Sequence, residues 1–144
     1  MEKHLVKNHR DLRVYQSAMS LAVHVFECSK GFPREEAYSL TDQIRRSSRS
    51  VCANLAEAWH KRRYEAAFVA KVNDAEAEAA ETQVWLEVAV RYGYLSKKAG
   101  KELFDDYNVL IGPLIGMMKN KEQWTLAMRE DTEHYCAEVP DDPF

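Results

Sequence analysis

The sequence predicts an all-α fold, namely an up-down-up-down antiparallel four-helix bundle followed by an acidic C-terminal tail. Apolar residues recur at three- and four-residue steps in four segments of about twenty residues each. Only 5 Gly and 4 Pro occur among 144 residues, which disfavours a turn-rich β fold. Short connections between the segments favour antiparallel neighbours. We expect an N-terminal extension at 1–10, the bundle at 11–119 and the tail at 120–144.

The composition excludes several classes of protein. Hydrophobic residues make up 46% of the chain and charged residues 30%, which is too apolar for a disordered protein. The long stretches without Asp, Glu, Lys or Arg, such as 107–118 and 14–26, are shorter than the roughly 20 residues that cross a membrane. The polar N-terminus does not resemble a secretory signal. Cys28, Cys52 and Cys136 have no metal-type spacing, so we expect small core residues in a reducing, cytoplasmic location.

The first predicted helix begins near Asp11, whose side chain suits an N-cap. Gly31, as a left-handed cap, and Pro33 then end the helix. Its predicted apolar stripe consists of Leu12, Tyr15, Met19, Ala22 and Phe26.

The second predicted helix spans about 37–59. Its apolar stripe is Leu40, Ile44, Val51 and Leu55, with Ser47 or Ser48 filling the missing turn. At 100° per residue, the basic side chains Arg45, Arg46 and Arg49 fall on the far side of this helix.

The third predicted helix, about 64–91, has two opposed apolar stripes. The inner stripe repeats at steps of four and three residues and comprises Phe68, Val72, Ala75, Ala79, Thr82, Leu86 and Ala89. The outer stripe comprises Ala66, Ala70, Ala77, Val84 and Val88. A helix on the outside of a monomeric bundle needs one apolar face, so we expect the outer stripe to meet a second subunit. The alternative is that the C-terminal tail covers it.

The fourth predicted helix starts near Ser96 and contains Pro113, which should kink or locally break it. Its apolar face comprises Leu103, Tyr107, Leu110, Leu114 and Met117, widened by Phe104, Ile111, Ile115 and Met118. After Asn120 the periodicity fades. Trp124, Leu126 and Met128 remain apolar enough to dock, as a short helix for example, whereas 130–144 is acidic and expected to fray.

No catalytic motif stands out, and we expect neither an enzyme nor a cofactor, a metal or a small-molecule substrate. Glu57 and His60 have the Glu-x-x-His spacing of bundle metal sites, but no second copy of the motif exists. A bundle metalloenzyme is therefore the weakest alternative that we keep open.

Two basic clusters could bind phosphate: Arg45, Arg46 and Arg49 on the second helix, and Lys61, Arg62 and Arg63 after it. The alternative is that these side chains pair with Glu76, Glu78, Glu81 or Glu87 of the third helix, or of a neighbouring subunit. The net charge of −3 argues against a globally basic nucleic-acid binder, but a ring of identical subunits would repeat the cluster around one surface.

Several segments resemble one known family. They are 11–19 (DLRVYQSAM), 32–36 (FPREE), 38–48 (YSLTDQIRRSS), 54–58 (NLAEA) and 75–83 (AEAEAAETQ), with Trp85-Leu86 and Gly93-Tyr94-Leu95. Over about 11–119 the chain resembles the bacterial four-helix-bundle family named after the intervening sequences of 23S ribosomal RNA genes. It departs from that family at Ala58, where members usually have Gly, and at Pro113.

The resemblance implies a four-helix bundle that assembles as a homo-oligomer, with a pentameric ring as the expected form. It also implies kinship with the accessory variability determinant proteins of diversity-generating retroelements, which partner a reverse transcriptase and bind nucleic acid. It implies no established activity. We therefore expect a non-enzymatic scaffold that binds itself and, through its basic clusters, RNA or DNA. The alternative is a protein-binding module without nucleic-acid contact.

Overall fold

The computed structural model describes residues 6–125 and 143. Its helices are α1 (Arg13–Ser29), α2 (Leu40–His60), α3 (Glu65–Arg91), α4 (Lys97–Lys119) and α5 (Lys121–Trp124), with 3₁₀ turns at His9–Asp11 and Arg34–Glu36. The described residues contain no strand, and the four long helices form a four-helix bundle, which confirms the predicted fold class. No helix in this part of the chain is long and apolar enough to span a membrane. The up-down order and the tail remain predictions.

The core lies along the apolar stripes predicted for the second, third and fourth helices. Every predicted core position of α2 and every inner-stripe position of α3 is buried. On α4 the five central residues are buried, and the four flanking ones are half-buried. Helix α1 packs against α2 and α4, and α3 packs against α2 and α4, so each long helix has two neighbours around one core.

The predicted stripe of α1 was wrong at two positions. Met19 and Phe26 are exposed, whereas Ala18, Leu21 and Val25 are buried. Leu12 and Ala22 are buried and Tyr15 packs against the core as predicted, so the buried face is rotated by less than one residue step of 100°. Apolar residues occupy both faces of this helix, and periodicity alone therefore allowed either choice.

The start of α1 also differs from the prediction. Asp11 ends a 3₁₀ turn, and its carboxylate accepts hydrogen bonds from the backbone N–H groups of Lys7 and Asn8 at 2.7 and 3.2 Å. The N-cap of α1 is the buried Leu12, which provides no side-chain cap. Asp11 thus stabilises the preceding turn and not the helix.

A left-handed glycine ends α3 but not α1. Gly93 has φ of 78°, and Gly31 lacks a positive φ. The N–H of Tyr94 donates to the carbonyl of Ala89 at 2.9 Å, and that of Gly93 donates to Val90 at 3.0 Å, the paired bonds of a Schellman cap.

Helix α4 continues through Pro113, so the helix does not break there, and the alternative of a kink stays a prediction. Pro113 and Val109 are both exposed, which leaves water free to hydrogen-bond the carbonyl that the proline does not serve. Gly112 has no Cβ to meet the proline ring, and this removes the usual penalty for helical backbone before proline. After α4, Trp124 lies in the short helix α5 and packs against the core, as the sequence allowed, whereas Leu126 and Met128 lie outside the described residues.

Candidate nucleic-acid interface

The arginines of α2 lie outside the core because the buried positions of that helix set its orientation. Ile44, Ser47, Ser48 and Val51 are all buried. The hydroxyl of Thr82 on α3 donates a hydrogen bond to the hydroxyl of Ser47 at 2.8 Å, and both residues are buried in the bundle. Arg46 and Arg49 are consequently exposed, and Arg45 is half-buried at the boundary with α1.

Arg45 is held against α1 by its inner nitrogen. Its Nε donates to the hydroxyl of the buried Ser29 at 2.7 Å, and its guanidinium lies 4.7 Å from the ring centroid of Phe26. Lys30 places its ammonium 5.0 Å from the same centroid. Two cations thus share one partly exposed aromatic ring, each attracted by its π-electrons. Within residues 6–125 the two terminal nitrogens of Arg45 have no protein acceptor.

No carboxylate of α3 forms an ion pair with these arginines. Arg46 pairs with Asp42 of its own helix at 3.6 Å, and that pair is largely exposed. Arg49 makes no hydrogen bond or ion pair with any residue in the described part of the chain. Burial and the neighbouring Glu81 raise the pKa of Glu78, and Arg46 only partly offsets this. The predicted pairing with α3 therefore does not form within residues 6–125.

The second basic cluster lies at the other end of α2. Lys61 and Arg63 are exposed, but Arg62 is folded back onto the helix. The Nε of Arg62 donates to the carbonyl of Trp59 at 2.8 Å, and its guanidinium lies 3.2 Å from the Trp59 ring centroid. Burial lowers the pKa of Arg62 to about 10. Lys61 follows Arg45 by sixteen residues, so a ligand that contacts both residues has to span about 24 Å along the helix.

Glu57 and His60, the two candidate metal ligands, each interact with another side chain. The carboxylate of Glu57 pairs with Lys71 at 2.9 Å, and Lys71 lowers the pKa of Glu57. The ring of His60 lies 5.7 Å from that of His9. Among residues 6–125, no three His, Cys, Asp or Glu side chains are grouped to hold a metal.

Residues 6–125 leave most of the outer stripe of α3 uncovered. Ala66, Ala70 and Ala77 are exposed, and Val84 is 53% exposed. Val88 is half-buried and packs against the core. Four of the five predicted interface residues are therefore exposed on one side of α3.

Comparison with known proteins identifies the family. The family model described as 23S rRNA-intervening sequence protein matches residues 10–116. The chain belongs to this family. A solved protein of unknown function from the S23 ribosomal protein family of Bacteroides thetaiotaomicron VPI-5482 is 30% identical, with a TM-score of 0.67. That alignment covers 74% of this chain and 96% of the other. No curated protein matches the chain.

In this member of the 23S rRNA-intervening sequence protein family, sequence reasoning missed two parts of the candidate interface. Phe26 was assigned to the core, and Lys30 was not singled out. The four-residue spacing of Phe26 and Lys30 could have placed them side by side. Their meeting with Arg45 depends on how α1 packs against α2, which periodicity does not report.

The two described cysteines fit the expected structural role. Cys52 is buried and Cys28 is half-buried, and both are free thiols. Burial raises the pKa of Cys52 to about 11 and also raises that of Cys28. A raised pKa disfavours the thiolate that a reactive cysteine needs. Cys136 lies outside the described residues.

Proposed function

We propose that this protein is a non-enzymatic, homo-oligomeric scaffold, with a pentameric ring as the expected form, that binds RNA or DNA through basic side chains on α2. The observation that carries the proposal is that Arg46 and Arg49 are exposed and Arg45 is half-buried, while none of the three forms an ion pair with a carboxylate of α3. The family name associates its members with 23S rRNA-intervening sequences.

The outer stripe of α3 supports self-association. An apolar face of small side chains lets another backbone approach closely, and burial of such surface stabilises by roughly 25 cal/mol per Å². If the stripe is an interface, two carboxylates placed on it should separate the subunits. We expect Ala77→Glu with Val84→Glu to reduce the molar mass found by light scattering to the 16.6 kDa of one chain.

The matched control is Val109→Glu, because Val109 is 74% exposed but lies on α4, away from the stripe. It should leave the assembly intact, with a molar mass of about five times 16.6 kDa. A wild-type protein that stays a single chain at micromolar concentration would contradict the assembly.

The spacing of the two basic clusters predicts how binding depends on ligand length. A strand rises about 3.4 Å per nucleotide, so a ligand that bridges 24 Å needs about seven steps. We expect affinity to rise with oligonucleotide length up to that span and to level off beyond it on each subunit. Fluorescence anisotropy with a length series measures this.

Charge reversal tests the arginines directly. Arg45→Glu with Arg49→Glu should abolish binding and retain the helical circular dichroism spectrum. The control Lys97→Glu with Lys98→Glu makes the same charge change at exposed positions of α4 and should bind nearly as wild type. Each phosphate contact contributes about 0.7–0.9 to the slope of log affinity against log salt, so wild-type binding should weaken steeply with salt. Binding that is insensitive to salt would refute the phosphate mechanism.

A protein-binding module without nucleic-acid contact is the second candidate, and the exposed stripe of α3 favours it. Oligonucleotide binding distinguishes the two candidate functions. If the oligomer forms but no oligonucleotide binds at low salt, the scaffold part of the proposal stands and the nucleic-acid part fails.

A further inference from the structure

An exposed apolar patch lies beside the anchored arginine. On α1, Met19, Val23 and Phe26 are 41%, 54% and 37% exposed, at spacings that place them on one side of the helix. Apolar side chains at these levels of exposure are usually scattered singly, and three in a row indicate a contact surface.

Cations border this patch. Lys30 and Arg45 lie over the Phe26 ring, and Arg49 follows Arg45 by one turn of α2. Glu27 is the one carboxylate that pairs with a member of this group within residues 6–125, at 3.2 Å from Lys30. We call the set formed by Met19, Val23, Phe26, Lys30, Arg45 and Arg49 the α1–α2 corner. It combines an apolar strip with an excess of positive charge.

The chain carries a segment of complementary chemistry beyond the bundle. Residues 126–142 contain six carboxylates and a single arginine. Met128, Tyr135 and Val139 are interspersed among the acidic residues. An acidic segment with spaced apolar side chains matches a basic and apolar surface in both respects.

The segment is long enough to reach the corner. It follows Thr125, which is anchored near the start of α3 because Lys121 pairs with Glu65 at 3.1 Å. Helix α3 has 27 residues, which corresponds to about 40 Å. Seventeen extended residues span at most about 56–61 Å, more than the length of the bundle.

We propose that residues 126–142 dock on the α1–α2 corner, with their carboxylates on Arg45, Arg49 and Lys30 and their apolar side chains on Met19, Val23 and Phe26. The docked segment occupies the same arginines that the proposed function assigns to phosphate. It therefore acts as an internal competitor of nucleic acid. The docking does not depend on nucleic-acid binding, whereas the competition rests on the proposed function.

A spin label on the tail tests the docking in the full chain. Cys136 lies inside the segment, and it can be labelled with a nitroxide once Cys28→Ser removes the half-buried thiol, since Cys52 is buried. With methyl-labelled methionine, the Met19 signal should lose most of its intensity at low salt relative to the reduced label. It should recover at about 1 M salt, where the Debye length is about 3 Å.

The variants make the result specific. Arg45→Gln with Arg49→Gln should restore the Met19 signal, and Lys97→Gln with Lys98→Gln should leave it broadened. A Met19 signal that the label never broadens would overturn the docking. So would broadening that persists unchanged in the Arg45 and Arg49 variant.

The competition has its own readout. The full chain with Glu130→Gln, Asp131→Asn and Glu133→Gln should bind a ten-nucleotide RNA about fivefold tighter than wild type, because exposed ion pairs are individually weak. Equal affinity, together with a broadened Met19 signal, would overturn the competition and leave the docking. If no oligonucleotide binds either protein, the proposed function fails while the spin-label experiment still decides the docking.

Discussion

Replacing Gly100 with Ala should destabilise the bundle even though Ala is the better helix former. Gly100 is buried in the first turns of α4, where a Cβ would come within 2.2 Å of the Cγ2 methyl of Val90 on α3. The Val90 Cβ would lie at 3.7 Å, which is an ordinary contact, so the clash falls on one methyl group. The close approach of α3 and α4 at this point therefore depends on the missing side chain.

The magnitude follows from two opposed terms. Ala in place of Gly in a helix contributes about 1 kcal/mol of stability. Val90 is β-branched and stiff in a helix, so moving its methyl group by more than 1 Å requires an off-rotamer side chain or a backbone shift, at about 2–3 kcal/mol. The net loss is about 1–2 kcal/mol. With an unfolding entropy near 2.1 cal/mol/K per residue, 144 residues lose about 3 °C of Tm per kcal/mol, which predicts a decrease of about 3–6 °C.

Thermal unfolding followed by circular dichroism, at one fixed protein concentration, measures this. Gly116→Ala is the matched control, because it lies in the same helix and its added Cβ would meet nothing within 4 Å. It should raise Tm by about 3 °C. In a Val90→Ala background, Gly100→Ala should become stabilising because the clashing methyl is gone. If Gly100→Ala lowers Tm equally in both backgrounds, the clash is not the cause.

Three further outcomes are expected. Cys28 should react with a thiol reagent well before Cys52 in the folded protein, because burial raises the pKa of Cys52 to about 11, and peptide mapping would show the order. Hydrogen bonds to the Glu36 carboxylate lower its pKa, so its contribution to stability is present above the unfolded pKa near 4.5 and is lost as pH falls through the folded value; Glu36→Gln should flatten that acid limb of Tm against pH. Thr82→Val should lower the free energy of unfolding in urea by about 1–2 kcal/mol, because the Ser47 hydroxyl keeps only its 3.3 Å hydrogen bond to the carbonyl of Ile44. Adding Ser47→Ala should recover much of the loss, and no recovery would argue against the buried hydroxyl pair.

Much of the fold could be predicted because three helices carry unambiguous patterns. On α2 the stripe from Leu40 to Leu55 predicted the buried face and, through it, the exposure of Arg46 and Arg49. On α3 and α4 the inner positions are buried as predicted. These helices have polar residues next to the stripe, so a rotation by one residue would bury charge.

Helix α1 has apolar residues instead on one side of its stripe, and the prediction for this helix was wrong at Met19 and Phe26. Met19 and Phe26 are apolar but exposed, whereas the small Ala18 is buried. The cost of rotating α1 is set by its neighbours, since Arg45 reaches Phe26 and Ser29 from another helix. Contacts between helices of this kind carry no signature in the spacing of either segment, and the composition of the candidate interface therefore depended on the structure.

The net charge of −3 is unevenly distributed along the chain. Residues 126–142 alone carry six carboxylates against one arginine, so the rest of the chain has a small positive excess. Within the bundle, α3 carboxylates bind elsewhere, with Glu87 on Arg91 at 2.9 Å and Glu81 accepting from Trp85 at 3.3 Å. At a Debye length of about 10 Å, an ion senses the charges nearest to it and not the total. Under the two proposals above, a polyanion that approaches α2 senses Arg45, Arg46 and Arg49, and residues 126–142 compete for Arg45 and Arg49.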